Sequence, residues 1–168
     1  MEFPVLVLLH VVFGVFWAGG GIAAGLFVIP SVLDAGPAGG AVMAGVVKRR
    51  LPAVLSFSAA MVVLSGVRLY MLRYSGAWVT TPEGIVLSLG ALLGIGAFIL
   101  GVFVQRPVVG KIGALAAEIA KAGTPPNTER AAELRALQAK LRRIARLTAW
   151  HLIGASLLMA SHRLAATF

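Results

Sequence analysis

Thirty consecutive residues, Phe3 to Val32, carry no charged side chain. A helix of roughly 20 residues crosses the hydrocarbon core of a bilayer, so this run predicts a membrane-spanning helix. It contains one histidine, His10, and one tryptophan, Trp17. An imidazole is costly to keep in hydrocarbon, which makes His10 a candidate for function. Composition removes the soluble alternative. Only 12% of the 168 residues are charged and 59% are hydrophobic, against about 25% charged in a typical soluble domain. Mean hydropathy is +0.92.

Three further apolar stretches follow, so the expected spans are about 3–32, 51–71, 84–104 and 147–166. The fold class predicted is an all-α integral membrane protein. Its single domain, 1–168, is an up-down four-helix transmembrane bundle with antiparallel neighbours. No cleavable signal peptide is expected, because Glu2 stands where a basic segment belongs and the apolar run is too long. The net charge of +9 would suggest nucleic acid in a soluble chain. Here the placement of that charge matters more than its sum, and no nucleic-acid partner is expected.

Twelve of the fifteen basic residues fall in two segments. The first loop, 31–50, holds Lys48, Arg49 and Arg50, and the segment from 105 to 146 holds the other nine. Only Arg68, Arg73 and Arg163 lie at the opposite ends of the spans. The positive-inside rule then puts both termini outside, which in a bacterial inner membrane means the periplasm. The basic segment from 107 to 146 is itself patterned. Val108, Ile112, Leu115, Ile119 and Ala122 recur at helical spacing, Gly123-Thr124-Pro125-Pro126 breaks the run, and Leu134, Leu137, Leu141 and Ile144 resume it. This predicts a cytoplasmic helical hairpin between the third and fourth spans, its second arm starting at Asn127 or Thr128. That arm's pattern allows an unbroken passage into the fourth span.

The absence of cysteine excludes disulfides and thiolate metal sites. With no Asp or Glu inside the expected spans, carboxylate-bridged metals and carboxylate proton relays are excluded as well. Imidazoles remain. His10 lies roughly 10 Å into the first span, and His162 lies at similar depth in the fourth, which runs the other way. His151 shares the helical stripe of His162 but sits roughly 16 Å deeper. One imidazole from each of two antiparallel helices at matched depth is the axial pair a six-coordinate haem b takes from a bundle. Gly14, one turn beyond His10, begins a flat stripe with Ala18, Gly21 and Gly25 against which a porphyrin can lie. Arg68, Arg73 and Arg163 stand near the same outer level, where haem propionates need cationic partners.

Other readings of the same residues stand beside this one. A membrane histidine can simply hydrogen-bond a neighbouring helix, and Ser56, Ser58, Ser65 and Ser88 are available partners. Copper suits imidazole with thioether, and Met159 shares a face with His162, while Met61 and Met71 are further donors. Small residues such as Gly21, Gly25, Gly90, Gly94, Gly154 and Ala155 also serve close helix packing by themselves.

The segment Leu9-His10 followed by Trp17-Ala18-Gly19-Gly20 resembles the opening helix of a group of small bacterial membrane proteins. The group includes the HemJ-type membrane protoporphyrinogen oxidases and the CopD-type copper-resistance proteins. The likeness is confined to the first helix. From the HemJ type it implies a haem-ligand role for His10 alone, and hence haem b. The chain departs from that type in having no lysine inside a span and no Arg-x-x-Asn-Glu-x-Pro-like ending, which weakens any extension to protoporphyrinogen oxidation.

The leading expectation is a membrane haem b protein, ligated by His10 and His162, with Gly14, Arg68 and Arg163 completing the cofactor site. It would transfer electrons or serve as a haem-bearing subunit of a membrane redox complex. The alternatives are a copper-binding or copper-transport protein using His10 with methionines, or a non-catalytic accessory subunit docking through the hairpin. Expected partners are the lipid bilayer, a redox complex or a second copy of the chain. No residue pattern assigns a catalysed reaction.

Overall fold

A computed structural model describes residues 2–73, 76–122 and 127–167. Every element among them is helical. Four helices are long and apolar enough to cross a membrane: Glu2–Asp34, Leu51–Leu72, Pro82–Ala122 and Thr128–Ser161. These are the helices of a multi-pass membrane protein. They are named here the first to fourth long helices.

The expected first loop is partly helical, with Pro37–Lys48 forming a short, largely apolar helix. Gly36 precedes it at φ 58° and ψ −130°, a conformation that a side chain would oppose. Arg50, at φ 59°, makes the second sharp reversal before the next long helix. A single turn, Gly76–Val79, precedes the third long helix. There Thr81 caps the start, its hydroxyl accepting from the Gly84 amide at 3.1 Å. Pro82 takes the first helical position, where no amide hydrogen is needed.

The third long helix does not stop at Pro107 but runs unbroken to Ala122. Proline removes one amide donor and crowds the carbonyl four residues back. The chain meets this by widening into π-helical turns over Leu100–Gln105, just before Pro107. It does the same over Ala24–Val28, just before Pro30. The break at Gly123-Thr124-Pro125-Pro126 lies outside the described residues. The fourth long helix starts where its cap predicts, the Asn127 side chain accepting from the Arg130 amide at 2.9 Å. It continues without interruption to Ser161, and a 3-10 turn, Leu164–Thr167, follows.

Two apolar clusters hold the helices together. Trp17, Ala59, Val62, Ala97 and Leu152, one or two from each long helix, form the first. Ile29, Val108, Leu141, Ile144 and Ala145 form the second, toward the basic end. Small residues allow the close approach that packing in lipid requires. A Cβ on Gly25 would stand 2.5 Å from the Ala145 carbonyl oxygen, and one on Gly21 would stand 2.6 Å from a Leu152 methyl. Large side chains such as Leu8, Phe16, Phe27, Leu64, Leu92, Phe103 and Leu157 are left exposed on the outside of the four helices. In a bilayer those surfaces face lipid.

Candidate functional site

The start of the first long helix lies against the end of the second. Their contact places His10 on Gly66: a Cβ there would be 2.8 Å from the imidazole Cε1. Ser65, buried, turns its hydroxyl back onto its own helix and donates to the Met61 carbonyl at 2.6 Å. The His10 Nδ1 stands 3.0 Å from the Val62 carbonyl oxygen and 3.2 Å from the Ser65 Oγ. A carbonyl can only accept, so the bond to Val62 places the ring proton on Nδ1. That tautomer leaves Nε2 with its lone pair. A histidine that binds metal commonly has its other nitrogen held in this way by a backbone carbonyl.

His162 is set differently. Its Nδ1 donates to the Met159 carbonyl at 2.6 Å. Its Nε2 lies 3.6 Å from a carboxylate oxygen of Glu83, in the first turn of the third long helix. His151 donates from Nδ1 to the Leu147 carbonyl at 2.9 Å, and its ring covers Gly96 of the third long helix. Met159 spends its side chain on packing over Gly90 and Gly94.

The arginines also have partners or positions that bear on the cofactor. Arg68 meets the Glu2 carboxylate through Nε at 2.6 Å and Nη2 at 3.1 Å. This is the acceptor its position inside a span demands. Arg163 is exposed, and the side chain of Arg73 lies outside the described residues. Around Gly14 the space is open, with nothing within 4 Å of a Cβ built there. Near the end of the second long helix, the Tyr70 and Ser88 hydroxyls are 2.8 Å apart, and Tyr70 meets Trp78 edge-on.

The structure thus brings Arg68 to Glu2, His162 to Glu83, and His10 to Ser65 and Gly66. It turns His10 toward the second long helix and His162 toward the third. Two cavities are described, one lined by Phe13, Phe16 and Phe57 with Arg50, the other by arginines of the fourth helix, and neither has a histidine in its wall. The His10 Nδ1 is held by the Val62 carbonyl, and the His162 Nε2 lies against Glu83. The residues that sequence reasoning passed over are Glu2, Glu83 and Gly66. Both carboxylates sit just beyond the apolar runs, at the level of the basic or imidazole group they meet, and that level is a legible signal. Gly66 is not distinguishable by sequence from the packing glycines.

No family model, no curated protein and no solved structure matches this chain.

Proposed function

We propose that this chain is a multi-pass membrane haem b protein with His10 as an axial ligand. The observation that supports it is the Nδ1 proton of His10 committed to the Val62 carbonyl, which leaves Nε2 to a metal. Gly66 clears the ring's own place on the second long helix, and the open space at Gly14 leaves room one turn away. His162, released from Glu83, is the second ligand. Arg163, exposed at the outer level, is the propionate partner, and Arg68 is available to it only in competition with Glu2. Haem b, when bound, supplies one-electron redox chemistry, suited to electron transfer or to a subunit of a membrane redox complex.

The architecture carried by this reading is an up-down bundle in a bacterial inner membrane with both termini periplasmic. The residues beyond the third and fourth spans form a basic helical hairpin on the cytoplasmic side. Three contacts support that placement. Glu2 meets Arg68 and Glu83 meets His162 at one end, while Arg142 meets Asp34 at the other. The positive-inside rule then assigns the basic end to the cytoplasm.

The test is an absorbance spectrum of the full chain purified from cells supplied with haem precursor. A Soret band with sharp reduced α and β bands is expected. His10→Ala should abolish it, His162→Ala should change it to a five-coordinate form, and His151→Ala should leave it intact. A colourless preparation, or an unchanged spectrum in His10→Ala, overturns the proposal.

A further inference from the structure

A cavity of about 590 Å³ lies along the basic half of the fourth long helix, with no histidine in its wall. Arg135, Arg142, Arg143 and Arg146 supply its cationic wall, and Leu147 and Trp150 its apolar wall. Leu33, near the end of the first long helix, closes the opposite side. Arg135, Arg142, Arg146 and Trp150 are spaced at seven, four and four residues, so they form one helical stripe. Among the described residues, Arg142 pairs with Asp34, and Arg135, Arg143 and Arg146 pair with no carboxylate.

Charge runs on a helix face are commonly just solvated. This one is not followed by more polar surface. Going toward the membrane, the stripe ends on Trp150, 58% exposed, beside Leu147, 45% exposed. The change from guanidinium to indole takes four residues, from Arg146 to Trp150, or roughly 6 Å at 1.5 Å per residue. Tryptophan is enriched at the level where headgroups meet acyl chains. Guanidinium binds phosphate oxygens in bidentate pairs. A groove that is cationic at one end and apolar at the other, between two spanning helices, matches a phospholipid from headgroup to chain.

We propose that this groove binds the phosphate of an anionic phospholipid, with Arg143 and Arg146 as the principal contacts and Trp150 and Leu147 against the acyl chain. The site is independent of the haem proposal. The full chain, delipidated in detergent, is offered phosphatidylglycerol, phosphatidylcholine of the same acyl chains, or inorganic phosphate. Binding is read by native mass spectrometry and by the shift in melting temperature. Phosphatidylglycerol should remain bound and raise the melting temperature, and the other two should not. Each of Arg143→Gln and Arg146→Gln should weaken phosphatidylglycerol by about fivefold, the effect expected of one basic residue at a membrane surface. Lys121→Gln and Arg130→Gln, which remove the same charge outside the groove, should leave binding unchanged. Both groove arginines are exposed, so the single variants keep the fold. Equal retention of phosphatidylcholine, competition by inorganic phosphate at the same concentration, or an equal loss in the control variants overturns the proposal.

Discussion

Glu2 and Arg68, 66 residues apart in the chain, meet through two hydrogen bonds of 2.6 and 3.1 Å where the start of the first long helix lies against the end of the second. Both groups are about half exposed on the protein surface, so in detergent solution salt screens the pair. Its role is to give an arginine inside an apolar run a fixed acceptor. Glu2→Gln should therefore lower the melting temperature only slightly, and less in 1 M salt than in dilute buffer, by about the ratio screening imposes. Exchanging the two, Glu2→Arg with Arg68→Glu, should restore it. Thermal melts of the purified chain at two salt concentrations read both outcomes.

Gly66 and Gly14 separate a crowded glycine from an open one. A methyl at Gly66 would come 2.8 Å from the His10 ring, whereas nothing lies within 4 Å of one at Gly14. Gly66→Ala should destabilise by about 1–3 kcal/mol, the usual cost of overpacking. Gly14→Ala should stay within about 1 kcal/mol of the parent, since it mainly changes helix propensity. If His10 holds haem, Gly66→Ala should also alter the spectrum. Unfolding in denaturing detergent measures the difference.

The approach of the first long helix to the fourth depends on Gly25 in the same way. A Cβ there would be 2.5 Å from a backbone oxygen of Ala145, and backbone cannot swing aside as a side chain can. Gly25→Ala is expected to cost at least as much as Gly66→Ala, about 1–3 kcal/mol. Gly110→Ala, which meets nothing within 4 Å, is the matched control. A chain in which both substitutions behave alike would lack this helix contact.

Leu141 is 3% exposed and packs with Val108 and Ile144, where the third and fourth long helices continue toward the basic end. Leu141→Ala should cost about 2–5 kcal/mol through lost burial and the cavity left behind. Leu157, 65% exposed on the same helix, faces lipid in a bilayer, and its replacement by alanine should change stability by about 0.5 kcal/mol or less. Hydrogen exchange along the fourth helix would show Leu141→Ala opening the basic half first.

Much of the architecture was readable because the bilayer imposes its own pattern. Runs without charge have to span, and every backbone amide in them has to be satisfied within a helix. That logic located four long apolar helices, and the Asn127 cap marked the start of the last. Continuity was less legible. Pro107 reads as a boundary, yet a widened turn absorbs it and one helix passes from Pro82 to Ala122.

Position along a helix can be counted from sequence, and that count is what predicts one level for His10 and His162. Direction around the helix axis cannot be counted so well. A face is chosen by what the neighbour offers, and at His10 the neighbour offers Gly66 and the Val62 carbonyl, while at His162 it offers Glu83. Hydrophobic periodicity is weak in helices apolar all round, so it does not choose among faces. Sequence alone thus determined which helices are long and apolar enough to cross a membrane. Tertiary packing alone decided what each imidazole touches, because the rotation of a uniformly apolar helix is set by small gaps and single carbonyls on the helices beside it.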